Sequence, residues 1–184
     1  MKALGVAGVS DPIGDPGLAV LYRYWCGKKR GQVMPRRADV DPTELPGNLW
    51  PTLMLLDVVR DGGGTRFRYR LVGTAFTHAF ARDPTHEFID EALPTRSGYR
   101  DYVVNLYLEM IRIRKPIYSE NLFALDGQPM PMVTKRLSLP LSSDGETIDM
   151  ALASHAYEYD HRPLEGYMAL NTGFQEIKRV ILEG

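Results

Sequence analysis

The chain has one cysteine, Cys26, in 184 residues. That excludes an intrachain disulfide and a thiolate metal cluster within one chain, and it fits a reducing compartment. Charge of one sign is not in excess. Lys and Arg total 22 against 23 Asp and Glu, a net −1, so no global field draws nucleic acid or an anionic membrane. No apolar run approaches the ~20 residues of a membrane-spanning helix. Met1-Lys2 followed by Ala3 to Val9 is a faint signal-peptide pattern. Its apolar run is short, Gly5 and Gly8 break it, and no small-x-small cleavage site precedes Asp11-Pro12. It therefore reads as the flexible N-terminus of a cytoplasmic protein. Repeats and low-complexity tracts are missing. What is present is ordinary for a globular domain: 44% hydrophobic and 24% charged residues, at a length that suits one domain with a full core.

Periodicity marks the elements. Asp15 and Pro16 are a cap and first position for a helix whose face carries Leu18, Leu21, Tyr22 and Trp25, ending at Gly27 or Gly31. Asp41, Pro42 and Glu44 start a second helix that Pro46-Gly47 stops within about a turn. Thr52 to Val59 is a near-continuous apolar run, read as a buried strand. Asp61-Gly62-Gly63-Gly64 turns the chain into Thr65 to Val72, where Phe67, Tyr69 and Leu71 alternate with Arg66, Arg68 and Arg70. Short helices follow at Thr74 to Ala81 and Phe88 to Leu93. The clearest helix runs from a Ser97 cap to Lys115, with Tyr99, Tyr102, Val103, Leu106, Met110 and Ile113 at helical steps and Pro116 closing it. Three strands, Ile117 to Ala124, Val133 to Leu141 and Thr147 to Tyr157, are joined by turns at Asp126-Gly127 and Asp144-Gly145. Thr172 and Gln175 form a capping box, and Phe174, Ile177 and Ile181 a stripe, so a terminal helix is expected.

This order gives an α+β fold: a five-stranded antiparallel sheet with one long helix and short helices packed on a face, plus N- and C-terminal helices. The order is that of a PAS domain. Local motifs resemble the bacterial PAS type 5 family: Tyr24-Trp25, then Pro35-Arg36-Arg37-Ala38-Asp39-Val40-Asp41-Pro42, then Phe67-x-Tyr69-Arg70-Leu71-Val72-Gly73-Thr74, and Arg82-Asp83-Pro84-Thr85. The Pro-Arg-x-Ala-Asp-x-Asp-Pro string is the most specific piece. The family usually has glycine on each side of the Arg-Asp-x-Thr string, where this chain has Ala81 and His86. Read this way, 1–17 is a flexible N-terminus, 18–51 an N-terminal helical flank, 52–160 the PAS core and 161–184 a helical tail. The resemblance implies a sensor or interaction module and brings no agreed ligand or reaction with it.

No catalytic constellation is visible. The four histidines, His78, His86, His155 and His161, form no i, i+4 pair and no His-Glu-x-x-His string, which disfavours a metal site. Haem-binding PAS domains often place a histidine on the long helix, and this helix has none. Flavin photosensors of the class carry a reactive cysteine in the stretch that is Phe76 to Phe88 here, and none is present, so haem and flavin are both disfavoured. Asp90 and Glu91 are adjacent and should diverge. The candidates are therefore structural sets. Tyr69, Phe76, Phe80, Tyr102, Leu106, Met110, Met150 and Leu152 are candidates to line a ligand pocket between helix and sheet. Arg66, Arg68 and Arg70 are candidates for an anion or acidic-partner surface, joined by Arg36 and Arg37, unless neighbouring carboxylates pair with them. Leu18, Leu21, Tyr22 and Trp25 are candidates for a homodimer contact; their other fate is to cap the chain's own sheet.

The expectation is a stand-alone, non-enzymatic sensory or regulatory module, binding a small molecule or a protein and signalling through other proteins. The alternative is a ligand-free interaction or dimerisation module.

Overall fold

Residues 12–128, 130–157 and 165–183 are described by a computed structural model. Helix α1 spans Pro16–Lys28, and three short 3-10 turns follow at Arg37–Asp39, Pro42–Glu44 and Gly47–Thr52. Then come β1 (Leu53–Asp61), β2 (Gly64–Val72), α2 (Thr74–Phe80), α3 (Ile89–Ala92) and α4 (Tyr99–Ile113). The second half holds β3 (Ile117–Leu125), β4 (Met132–Ser142), β5 (Ile148–Tyr157), the one-turn helix α5 (Tyr167–Leu170) and β6 (Asn171–Ile181). Every neighbouring strand pair is antiparallel, and the sheet order is β2-β1-β5-β4-β3-β6.

The sheet has six strands, not five, because the expected C-terminal helix is β6. Phe174, Ile177 and Ile181 do fit a helical step, but from Gln175 to Ile181 the residues alternate exposed and half-buried. That is a strand's period, and β-branched residues fill it. Without β6, the nine residues of β3 would be an open edge. Instead β3 and β6 pair from Ile117↔Ile181 to Leu125↔Asn171, with two bulges. Residues 158–164 of the expected core and tail lie outside the described residues.

Other boundaries moved less. Gly98, at φ +75, is the N-cap of α4. The Ser97 hydroxyl, expected in that role, accepts instead from Asn171 Nδ2 at 2.8 Å. Of the N-terminus expected to be flexible, 1–11 lie outside the described residues, while 12–17 lie against the sheet. Ile13 is buried, Lys135 Nζ donates to the Gly14 carbonyl at 3.0 Å, and Pro16 already opens α1. On β2 strict alternation ends at Leu71. Leu55 and Leu56 of β1 face Leu71 and Tyr69, which leaves Arg70 as an extra residue in a bulge. Phe67 and Tyr69 are buried as expected, whereas Leu71 is half exposed.

Each face of the sheet is covered differently. On one lie α2, α3 and α4: Phe67 meets Tyr107 at 5.2 Å, Phe123 meets Tyr99 at 4.8 Å and His155 meets Phe76 at 4.6 Å between ring centres. The other face carries α1. Trp25 donates through Nε1 to the Pro140 carbonyl at 2.9 Å, and Leu18, Leu21 and Trp25 are at most 1% exposed. Since Arg136 of β4 points to the α4 side, Leu137, Leu139 and Leu141 alternate onto the α1 side, all fully buried. The apolar stripe of α1 is therefore taken up by the chain's own sheet. As a dimer contact, Leu18, Leu21 and Trp25 are corrected; only Tyr22 keeps partial exposure.

The Pro35–Pro42 string stitches α1 to the sheet. The Tyr24 hydroxyl donates to the Asp41 carbonyl at 2.9 Å and accepts from the Asp41 N–H at 2.7 Å. Asp41 caps its 3-10 turn by accepting from Thr43 N–H at 2.9 Å. Arg37 donates to the Val40 carbonyl at 2.9 Å, Asp39 pairs with Arg30 at 3.3 Å, and Ser142 N–H reaches the Pro35 carbonyl at 3.2 Å. Gly73 is demanded by packing: a Cβ there would lie 2.3 Å from the Pro51 carbonyl oxygen.

Candidate ligand site

β4 and β5 are the two inner strands behind α2 and α4. On that face, β4 presents Thr134, Arg136 and Ser138, paired with Tyr157, His155 and Ala153 of β5. Arg136 is 3% exposed and His155 2%. Arg136 Nε donates to His155 Nε2 at 2.5 Å, and its Nη2 donates to the Tyr99 hydroxyl at the start of α4. The third guanidinium nitrogen, Nη1, is buried with no hydrogen-bond partner among the described residues, as is His155 Nδ1.

The protonation states follow from that geometry. Burial, then the adjacent Arg136 cation, push the His155 imidazole well below its ordinary pKa. It is neutral, accepts at Nε2 and carries its proton on Nδ1. Burial raises the hydroxyls of Tyr69, Tyr99 and Tyr107, so these stay neutral too. Burial opposes the charge on Arg136, but a guanidinium is too basic to lose its proton in a protein, and the group stays a cation. Its two bonded partners are thus a neutral imidazole and a neutral phenol. Among the described residues no carboxylate forms an ion pair with it, which is unusual for a buried charge.

Beside the cluster lies a small enclosed cavity lined by Met54, Tyr69, Phe76, Phe80, Tyr99 and Arg136, with Met168 closing one side. Its volume is ≈ 10 Å³, room for about one water molecule. The wall nearest solvent is Phe80, the half-buried last residue of the seven-residue α2.

Of the residues expected to line a pocket, Tyr69, Phe76 and Phe80 do so. Leu106 and Met110 are fully buried in the packing of α4 and lie outside the cavity lining. Tyr102 points toward β6: its ring lies 4.5 Å from that of Phe174, and its hydroxyl bonds Glu176 Oε1 at 3.0 Å. Its pKa is pushed up to about 12, first by burial. Met150 and Leu152 pair with Leu141 and Leu139, on the α1 side of the sheet, so the strand period removes them from the site.

The arginines of β2 have carboxylate partners. Arg66 forms a two-point pair with Asp90 at 2.9 Å, reaches Glu91 at 2.6 Å and lies 3.7 Å over the Phe88 ring. Arg68 and Arg70 both reach Asp57 at 3.1 Å. They are therefore not a free anion surface.

Sequence reasoning missed Arg136, His155 and Tyr99 as a site. Thr134, Lys135 and Arg136 are three polar residues in succession, with Ser138 next on the same face, and so look like the solvent-facing start of a strand. The available signal was that β4 is flanked by strands on both sides and that His155 falls opposite Arg136 in the meander.

The two glycine departures have a visible consequence. Ala81 and His86 hold φ of +55 and +75, a region most side chains avoid. Between them Asp83 accepts from the Thr85 N–H at 2.9 Å and its hydroxyl at 2.6 Å, and Arg82 pairs with Glu87. The returning chain then covers the edge of β2. Tyr69 N–H donates to the Glu87 carbonyl at 3.0 Å and His86 N–H to the Tyr69 carbonyl at 2.7 Å. This turn therefore helps to fix Tyr69 in the cavity wall.

Comparison with known families finds a PAS domain, type 5, matching residues 14–97, just under half of the chain. Comparison with curated proteins finds no match, and neither does comparison with solved structures. The matched stretch contains Tyr69, Phe76 and Phe80 and ends before Tyr99, Arg136 and His155. Over residues 14–97 the chain is thus similar to a PAS domain.

Proposed function

We propose that the protein is a sensory or regulatory module of the PAS class that takes up a small molecule between its sheet and α2–α4 and signals through another protein, without catalysing a reaction. One observation carries this reading: a buried cation, Arg136, beside a cavity, with hydrogen-bonding capacity that the described residues leave unused. Such a group costs stability and contributes little to folding, so its natural use is recognition. The short helices α2 and α3, seven and four residues long, form the layer that would move when the site fills. No helix among the described residues is long and apolar enough to cross a membrane, in line with a proposed cytoplasmic role.

A thermal-shift survey of uncharged, anionic and cationic small molecules on the full chain tests the reading. Saturable stabilisation by one chemical class supports it. Flat melting curves across all classes, with no co-purifying molecule in native mass spectra, reject it.

The second reading is a ligand-free interaction or dimerisation module, favoured by β6. Its outer edge has no partner strand among the described residues, and Ile177 and Ile181 are 48% and 44% exposed on it. A homodimer is proposed there rather than through α1. Light scattering of the wild type and of Ile177→Lys checks it: a dimer that the substitution splits supports this reading, and a monomeric wild type ends it.

A further inference from the structure

We propose that the site takes an anion, specifically the carboxylate of a small monocarboxylic acid with an apolar tail, anchored by Arg136. This rests on the small-molecule reading above and names its ligand class. Arg136 supplies one positive charge in a wall that, among the described residues, holds no negative group. Its Nε and Nη2 are used by His155 and Tyr99, which hold the guanidinium plane fixed, and Nη1 keeps two N–H donors with no acceptor. A positioned, desolvated guanidinium of this kind binds a carboxylate far better than a neutral amide.

Charge and lining select among anions. The neutral imidazole adds a dipole and no charge, so the cluster compensates one negative charge and leaves a phosphate dianion half unpaired. The remaining wall is mostly apolar, with Met54, Phe76, Phe80 and Met168 beside the tyrosines Tyr69 and Tyr107, and among the described residues it carries no second cation. It suits a short aliphatic or aromatic tail. At ≈ 10 Å³ the closed space does not hold such a molecule, so entry requires Phe80 and Met168 to move. Phe80 ends a short helix next to Ala81 in its left-handed conformation, and the adjoining Gly166 N–H bonds the His78 carbonyl of the same helix. Filling the site therefore displaces α2 against the segment leading into α5 and β6, which gives binding a route to the sheet edge.

The test uses the full chain with formate, acetate and benzoate, with acetamide and benzamide as neutral matches, and with phosphate and chloride, read by calorimetry and melting temperature. Carboxylate binding with silent amides is expected, benzoate or acetate outranking formate because of the tail. Arg136→Met should weaken carboxylate binding by at least about 30-fold. Arg136→Lys, which keeps the charge, should retain part of it and guards against a variant that fails to fold. Equal binding of amides and carboxylates would overturn the proposal while leaving a small-molecule sensor intact. Binding of phosphate or chloride but no carboxylate would overturn the carboxylate assignment. Carboxylate binding undiminished in Arg136→Met would overturn the role of Arg136. Silence of every compound would overturn both this proposal and the sensor reading.

Discussion

Charge is handled in opposite ways on the two faces of the sheet. On the face that carries α1, Asp57 receives Arg68 and Arg70. Glu120 takes the Tyr118 hydroxyl and Lys178, which hold its carboxyl below the usual range although burial works the other way. Between these pairs Trp25, Leu137, Leu139 and Leu141 close a dry layer. On the face beneath α4, Arg136 is far more buried than any of those cations, and its hydrogen-bond partners among the described residues are neutral. One face is finished as structure. The other is electrostatically incomplete, and incompleteness at a cavity is what a binding site needs before its ligand arrives.

The largest expected effect tests whether the α1 face is closed core. Trp25→Ala removes a fully buried ring and its bond to Pro140, and should cost about 3–5 kcal/mol in denaturant unfolding. A loss under about 1 kcal/mol would mean α1 is a detachable flank. On the other face, Tyr99→Phe takes away the acceptor of Arg136 Nη2. About 1–3 kcal/mol should be lost, and a saturating carboxylate should restore part of it.

Next in size is a pH effect. His155 is neutral when folded because burial and Arg136 depress its pKa, whereas in the unfolded chain it titrates near ~6.5. Below that pH the unfolded state binds a proton that the folded state refuses, so stability falls as pH drops, by about 1.4 kcal/mol per unit at most. Above it the slope vanishes. Urea melts of the wild type and His155→Gln between pH 5 and 7 check this, and the substitution should flatten the slope.

Smaller effects remain. Ala81→Gly relieves a left-handed backbone at φ +55 and should stabilise the protein by about 1 kcal/mol, measured by melting temperature. Arg68→Ala or Arg70→Ala removes an exposed pair to Asp57 and should change stability by less than about 1 kcal/mol, a tenth or so of what a domain of this kind holds in total. A large loss there would erase the contrast between the faces.

Much of the fold was legible because local and global signals agreed. The β1–β2 hairpin, the α2–α4 segment and the β3–β4–β5 meander lie within a few residues of their expected ends. Asp41 does cap its turn, and the glycine departures at Ala81 and His86 do fall on positive φ. β6 was misread because Phe174, Ile177 and Ile181 satisfy a helical step as well as a strand. Only the unpaired edge of β3 decides between them, and that edge is a tertiary fact. The site was harder still. Three aromatic wall residues follow from the helix and strand periods, but Met150 and Leu152 were placed on the wrong face. Arg136 gives no sign in the sequence that the polar row of β4 is covered by α4.

The account turns on whether the free donors of Arg136 receive a carboxylate. Arginine side-chain NMR of the 15N-labelled chain measures this directly, with the Arg136 Nε–Hε resonance assigned by its disappearance in Arg136→Lys. The account predicts that benzoate displaces this resonance in a saturable way, that benzamide leaves it in place, and that the Arg68 and Arg70 resonances do not move. An Arg136 resonance unmoved at a benzoate concentration that raises the melting temperature would contradict it.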